Sequence, residues 1–295
     1  MKKIIVIGSV SIDNVTYTNT LPVPGMTVYG ESFLSNIGGK GANQACAIKF
    51  LGGDVEFYGS IGDDDNGKTV QNFLKSVDLR AFLKISDQST GIANIIIESK
   101  TAENRIVIVP GANMDLNKED IDKVDFQGKD FLLLQLENKV DAVVYAMKKA
   151  KEAGLTVILN PAPYHEIPVE AYSLIDFFIP NEHELEQFTS DVEGNYASRA
   201  KHLVAQGIKR VIVTLGEKGS LYVDKSTIFY VDPHKVNAID TTGAGDSFCG
   251  AFVTALSEDK TIKEAMKFAS KASSITVTRK GAIKSLPTRE ELEKK

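Results

Sequence analysis

Four apolar residues, Ile4-Ile5-Val6-Ile7, run without a polar break into Gly8 almost at the start of the chain. A strand with one face in water alternates apolar and polar side chains, so an unbroken, mostly β-branched run marks a strand buried on both faces. Such a strand needs a layer on each side, and the text that follows supplies them. Ala42 to Leu51 reads as a helix closed by Gly52-Gly53, Val55 to Ile61 as a strand, and Gly67 to Ser76 as a helix. Phe131 to Leu136 is a further apolar strand, and Lys139 to Ala153 places Val140, Val143, Val144, Met147 and Ala150 near a 3.6-residue period before the stop at Gly154. Strands at Thr156 to Leu159, Phe177 to Ile179 and Arg210 to Leu215 and helices at Glu182 to Phe188 and Tyr196 to Gln206 continue the alternation. Repeated strand–helix units with short connections predict right-handed crossovers and an α/β fold: a mostly parallel sheet with helices on both faces.

Two stretches interrupt the pattern. Asn14 to Asn36 carries Pro22, Pro24 and Gly25 between strand-like pieces, and in Gly91 to Pro110 two β runs flank Ser99 to Asn104. Both read as hairpins. Inserted at different points of one core, they can pair into a small sheet over one end of it, a lid or an interface. The expectation is one domain over 1–295, with lid segments at about 14–36 and 91–110.

The bulk of the chain narrows the function classes. Its 295 residues, 43% hydrophobic, suffice for one large core, and 34 Lys+Arg against 39 Asp+Glu leave a net charge of −5 with no basic run to match a phosphate backbone. Nucleic acid is not an expected partner. Met1-Lys2-Lys3 leads directly into an apolar run too short for a signal segment, and no run approaches the ~20 residues of a membrane span. A cytoplasmic protein is expected, with no membrane partner. Cys46 and Cys249 form no disulfide framework, and neither they nor His165, His183, His202 and His234 have metal-ligand spacing.

Gly62-Asp63-Asp64-Asp65-Asn66-Gly67-Lys68-Thr69 satisfies the Walker A pattern between a strand and a helix. Three carboxylates facing a triphosphate oppose its binding, each close pair costing roughly 4 kcal/mol at intermediate dielectric. The segment reads instead as an acidic turn that caps the next helix. Asp240-Thr241-Thr242-Gly243-Ala244-Gly245-Asp246-Ser247-Phe248 precedes a helical pattern from Phe248 to Leu256. Its glycines let the backbone turn and approach a ligand, and a helix start offers unpaired N–H groups to an anion. Asp246 would stand beside an incoming hydroxyl and accept its proton, although by itself the short motif also fits an ordinary cap.

Gly38-Gly39-Lys40-Gly41-Ala42-Asn43-Gln44-Ala45 resembles the N-terminal signature of the ribokinase (PfkB) family of sugar kinases, and Asp240 to Asp246 resembles its C-terminal one. Leu136-Glu137, Asn160-Pro161-Ala162-Pro163, Pro180 to Glu184, Thr214-Leu215-Gly216 and Thr278 to Ala282 extend the similarity over essentially the whole chain, nearest the ribokinase and deoxyribokinase branch. The resemblance implies a ribokinase-like three-layer α/β/α core with a small β-sheet lid, and ATP-dependent phosphorylation of a pentose hydroxymethyl group, D-ribose first. It places catalysis at Asp246 and the anion-binding turn Gly243, Ala244 and Gly245. The sugar would be held by Ser11, Asp13, Gly39, Lys40, Gly41, Asn43, Ala93, Ile95, Glu137 and Asp246. ATP would meet Asn181, Glu184, Thr214, Gly216, Gly219 and Gly245, with Mg²⁺ on its phosphates, while a family histidine near the adenine is replaced by Ser270. A K⁺ activator would sit at Asp240, Thr242, Thr276, Arg279, Gly281 and Ser285, largely on carbonyl oxygens. A homodimer clasped through the lid is implied as well. Competing readings are a kinase for 2-deoxyribose, a nucleoside or a fructose derivative, and a catalytically silent sugar- or nucleotide-sensing protein. A nicotinamide dehydrogenase is disfavoured, because Gly8-Ser9-Val10-Ser11-Ile12-Asp13 lacks the G-x-G-x-x-G spacing.

Overall fold

The computed structural model describes residues 1–101 and 103–294, so that Ala102, inside the second expected lid segment, and Lys295 lie outside the described residues. The chain begins with β1 (Lys3–Ile7), β2 (Ser11–Thr18), β3 (Gly30–Gly38), α1 (Lys40–Phe50), β4 (Asp54–Gly62), α2 (Asp65–Ser76), β5 (Arg80–Ser86), β6 (Gly91–Glu98) and β7 (Asn104–Val109). Next come α3 (Lys118–Ile121), β8 (Phe131–Leu134), α4 (Val140–Glu152), β9 (Thr156–Leu159), β10 (Phe177–Phe178), α5 (Glu182–Phe188), α6 (Tyr196–Ala205) and β11 (Arg210–Thr214). The chain closes with β12 (Ser220–Asp224), β13 (Ile228–Val231), α7 (Ala244–Ser257), α8 (Ile262–Thr276) and α9 (Arg289–Glu293).

Nine strands form the main sheet in the order β13-β12-β11-β10-β9-β8-β1-β4-β5. All its pairings are parallel except the two that add β12 and β13 at one edge. The expected double burial of β1 divides its side chains by parity. Ile4 and Val6 enter a core shared with α1, α2, α7 and α8, while Ile5 and Ile7 enter the core under α4, α5 and α6. This is the three-layer α/β/α arrangement.

The two interrupting hairpins do pair with each other. In the four-stranded sheet β3-β2-β6-β7, the antiparallel hairpins β2–β3 and β6–β7 are joined by parallel pairing of β2 with β6, from Ser11 opposite Gly91 to Thr18 opposite Glu98. Two boundaries move relative to the sequence reading, and both matter for the site. Helix α1 begins at Lys40, two residues ahead of the expected Ala42, which brings Lys40 and Gly41 into its first turn with Asn43. Helix α7 begins at Ala244, four residues ahead of the expected Phe248, which puts Asp246 in its first turn.

Candidate active site

Helices α1 and α7 pack side by side and bring their first turns together. Gly243 is the N-cap of α7 with φ of 75°, a left-handed conformation that favours glycine, and among the described residues no side-chain oxygen caps this helix. The N–H groups of Gly245 and Asp246 therefore have no intrahelical acceptor. The start of α1 is different. Its N-cap Gly39, at φ 88°, turns the chain so that Glu137 Oε2 accepts from the Lys40 N–H at 2.8 Å and the Ser9 carbonyl from the Ala42 N–H at 2.9 Å. Of the two helix starts, only that of α7 remains open to an anion.

Asp246 is 6% exposed, and its carboxylate accepts from Asn43 Nδ2 at 2.8 Å and Gln44 Nε2 at 2.9 Å. Burial raises its pKa above the ordinary aspartate value, against the Lys40 charge and the two amide donors, which favour ionisation. For Lys40, burial opposes the charge, but the carboxylates of Asp246, Glu137 and Glu184 outweigh it and raise the pKa. On β2, burial raises the pKa of Asp13, Ser11 Oγ counters by donating to Asp13 Oδ1 at 2.9 Å, and Glu137 and Asp246 repel the negative form. Glu137 also accepts from the Ser9 hydroxyl, so one carboxylate ties the end of β1 to the start of α1. Ala93 lies opposite Asp13 and Ile95 opposite Val15, on the face of the small sheet that Ser11 and Asp13 share. Ser11–Asp13, Lys40–Glu137 and Asn43–Asp246 are thus three hydrogen-bonded pairs whose charges act on one another, a polar cluster with Gly39 and Gly41 at its turn.

Across the α7 start lies a cleft of about 770 Å³. The expected Asn181, Thr214, Gly216, Gly219 and Gly245 line it, together with Ala244 and with Ser270 from α8. His234, Lys235, Val236, Ser274 and Val277 line it too and were not anticipated. Glu184, in contrast, is not on the wall. It is 8% exposed and forms a reciprocal cap with Asn181, each side chain accepting from the other's main-chain N–H at 2.8 Å. Burial raises its pKa, against the Asn181 N–H and the Lys40 charge. The Asn-x-x-Glu spacing is therefore a helix-start device whose carboxylate lies within the electrostatic reach of Lys40 and Asp246.

Asp240 joins the approach to α7 to the loop after α8, accepting from Thr242 N–H at 2.9 Å and Gly281 N–H at 2.8 Å. Partial burial would raise its pKa, but these donors and the Lys280 charge hold it below the usual range. The side chains of the other expected cation ligands are engaged elsewhere. The Thr276 hydroxyl meets Ser247 Oγ at 2.8 Å, Ser285 donates to the Ala282 carbonyl at 2.6 Å, and Arg279 pairs with Glu291 at 2.7 Å. What these three residues can offer a cation is main-chain oxygen. Among the described residues, no group of three or more His, Cys, Asp and Glu side chains forms a metal site.

The acidic turn before α2 is a cap. Asp64 accepts from Gly67 N–H at 2.7 Å, Thr90 N–H at 2.8 Å and the Thr90 hydroxyl at 2.6 Å, while Lys68 pairs with the exposed Asp65 at 3.1 Å. None of Asp63 to Thr69 lines the cleft.

Comparison with known proteins identifies the family. The family model described as pfkB family carbohydrate kinase matches residues 1–289. The chain is 40% identical to the ribokinase of Haemophilus influenzae over 98% of its own length and 97% of the relative's. It is 37% identical to the deoxyribokinase of Salmonella typhi, covering 98% and 96%. A solved structure of Arabidopsis thaliana ribokinase complexed with ribose and ATP superposes with a TM-score of 0.90 at 31% identity, covering 99% of this chain and 97% of that one. With the three-layer core, the small second sheet and both signature turns in place, this chain belongs to the pfkB family of carbohydrate kinases.

Proposed function

We propose that the chain is an ATP-dependent pentose kinase that transfers the γ-phosphoryl group of ATP to the hydroxymethyl oxygen of D-ribose, giving D-ribose 5-phosphate. The observation that carries this reading is the position of Asp246, a buried carboxylate in the first turn of α7, between the polar cluster around Asp13 and the 770 Å³ cleft. Ser11, Asp13, Gly39, Lys40, Gly41, Asn43 and Glu137 bind the sugar hydroxyls, and Ala93 and Ile95 cover its apolar face. The nucleotide occupies the cleft along Asn181, Thr214, Gly216, Gly219 and Gly245. Asp246 accepts the hydroxyl proton as the oxygen attacks, and the open N–H groups of the Gly243–Asp246 turn, with Lys40, balance charge on the transferring group. Phosphoryl transfer needs positioning more than a strong base, so a carboxylate serves.

Mg²⁺ fits beside Glu184: only its Oε2 is used by the cap, and a divalent ion there would neutralise phosphate charge when nucleotide is bound. K⁺ fits the loop around Asp240, whose carboxylate stays ionised, with Thr242, Thr276, Arg279, Gly281 and Ser285 contributing main-chain oxygen. Its occupancy would order the loop against α7, and turnover in K⁺-free buffer should rise when K⁺ is restored; a flat response would remove K⁺ from this account. We read 1–295 as one catalytic domain with segments 14–36 and 91–110 as lid, paired across two copies, acting in the cytoplasm. No helix among the described residues is long and apolar enough to cross a membrane.

Coupled ADP release across a pentose panel tests the reading, with ribose-dependent release expected. Release only with a nucleoside or a fructose derivative would reassign the acceptor, and none with any alcohol would favour a silent sugar-sensing protein. A second acceptor, 2-deoxyribose, is favoured by one contact: Ser11, a short side chain, already spends its hydroxyl on Asp13.

A further inference from the structure

Gln44, Gln135 and Asn160 stand on three elements or their ends, none lines the cleft, and they are 0%, 0% and 8% exposed. Primary amides are costly in a core unless each is paired. These are joined in series, with the Gln135 Oε1 at the far end left buried without a partner among the described residues. The main-chain carbonyl of Ile179 can only accept, so Asn160 presents Nδ2 to it at 2.9 Å and turns Oδ1 toward Gln44. Gln44 Nε2 then donates to Asn160 Oδ1 at 3.0 Å and gives its other hydrogen to Asp246 Oδ1 at 2.9 Å. Gln135 Nε2 donates to Gln44 Oε1 at 2.6 Å. Reversing the Gln44 amide would face its oxygen to two acceptors and its nitrogen to a donor. The anchor at Ile179, two residues before Asn181 on the nucleotide side, thereby dictates which hydrogen reaches Asp246.

We propose that Gln44 is a positioning residue for Asp246: locked by Asn160 and Gln135, it fixes the plane of the carboxylate so that a free lone pair faces the acceptor hydroxyl. This rests on the reading of Asp246 as the base. Asn43 holds the other oxygen, but its own Oδ1 is buried without a partner among the described residues, so nothing fixes that amide from behind, whereas both hydrogens and the oxygen of Gln44 are used. The charged and titratable groups around Asp246 are Lys40, Glu137, Glu184, Asp13 and Cys249.

Gln44→Met keeps chain length and removes every polar contact. Because a donor to the carboxylate favours its ionised form, the ¹³C-carboxyl titration of Asp246, assigned by its loss in Asp246→Asn and followed without sugar or nucleotide, should move to higher pH. With ribose, kcat should fall roughly 10- to 100-fold while KM changes less than about threefold, and the acid limb of kcat/KM should move up in pH. Met147→Ala, in the core beyond the sheet, should lower Tm and shift neither titration nor limb. An unmoved titration, or a kcat loss no larger than the control's, overturns the proposal. If Gln44→Met does not fold, the wild-type protein decides: the ¹⁵Nε2 resonance of Gln44 must titrate with the Asp246 carboxyl, and an insensitive resonance overturns it equally. A wild type that releases no ADP with any pentose would sink the functional reading, while the carboxyl titration would still judge the Gln44 contact.

Discussion

The two amide donors on Asp246 make the outcome of an isosteric change specific. Asp246→Asn brings an NH₂ group to a position where Asn43 and Gln44 both donate, so one contact turns unfavourable while the side-chain volume is unchanged. The fold and sugar binding should persist, and kcat should drop by at least ~10²-fold, the usual scale for losing a general base. Near wild-type turnover in single-turnover and steady-state assays would remove Asp246 from the chemistry. The neighbouring Ser11 bears on the choice of sugar. Its hydroxyl is bonded to Asp13, where it orients the carboxylate and moderates a pKa that burial has raised. A missing 2-hydroxyl is rejected strongly only when a buried polar group loses its partner, and Ser11 keeps Asp13 with either sugar. Ribose and 2-deoxyribose should therefore differ in kcat/KM by less than about 10², and Ser11→Asn should shift the ratio toward ribose by roughly 1–2 kcal/mol. A much larger native preference, or a ratio indifferent to the substitution, would move the selector elsewhere in the pocket.

At the scale of elements, the acidic turn before α2 shows how a sequence pattern and its structural use diverge. Lys68 is paired with Asp65 on the surface, away from the cleft, so Lys68→Ala should leave the KM for ATP unchanged; a large rise would restore the turn as a phosphate loop. Asp64→Ala should instead cost about 1 kcal/mol or more through the lost cap. Partial burial works against the Asp64 charge, but the Thr90 and Gly67 donors prevail and hold its pKa below the usual aspartate range. Its contribution is thus present above the unfolded-state pKa and fades as pH falls through the lower folded one, so the Tm gap between variant and wild type should close toward acid pH. Central strands were legible because burial on both faces leaves an unbroken apolar run, as in β1. β5 was missed: at the sheet edge, Arg80-Ala81-Phe82-Leu83-Lys84 mixes charge with apolar residues. α8 was missed because its buried stripe is largely alanine (Ala265, Ala269, Ala272), which barely stands out from the neighbouring Ser270, Ser273 and Ser274. In the site, the two glycine turns could be read from the chain, while His234, Lys235 and Ser274 meet across the cleft only through tertiary packing. Gln44 was quoted as part of a motif, but its contact with Asp246, 202 residues away, has no local signal.

For the whole molecule, the small sheet carries exposed apolar residues that a monomer leaves unexplained. Leu34, Ile106 and Ile108 are 47%, 51% and 58% exposed. By register, Leu34 lies opposite Val15, Ile106 opposite Ile95, and Ile108 opposite Ala93, so all three share the face that carries Asp13. Contiguous apolar surface of this kind marks an interaction site more often than free solvent contact. The same face leans toward the core at one point, where the Lys280 ammonium lies 5.7 Å from the Tyr17 ring centroid, next to the Gly281 that donates to Asp240. A second copy covering Leu34, Ile106 and Ile108 would bury this strip and screen the sugar cluster from water in one step. A charge placed there must be desolvated on association, so Ile108→Lys should convert a dimer to a monomer in sedimentation velocity at micromolar concentration, without lowering Tm by more than about 1 kcal/mol equivalent, as for an exposed site. The monomer should keep its ATP affinity, because no described residue of the lid segments lines the cleft, and should show a raised KM for ribose. A wild type that sediments as a monomer, or an Ile108→Lys dimer with unchanged kinetics, would leave the lid a single-chain cover and detach its apolar face from assembly.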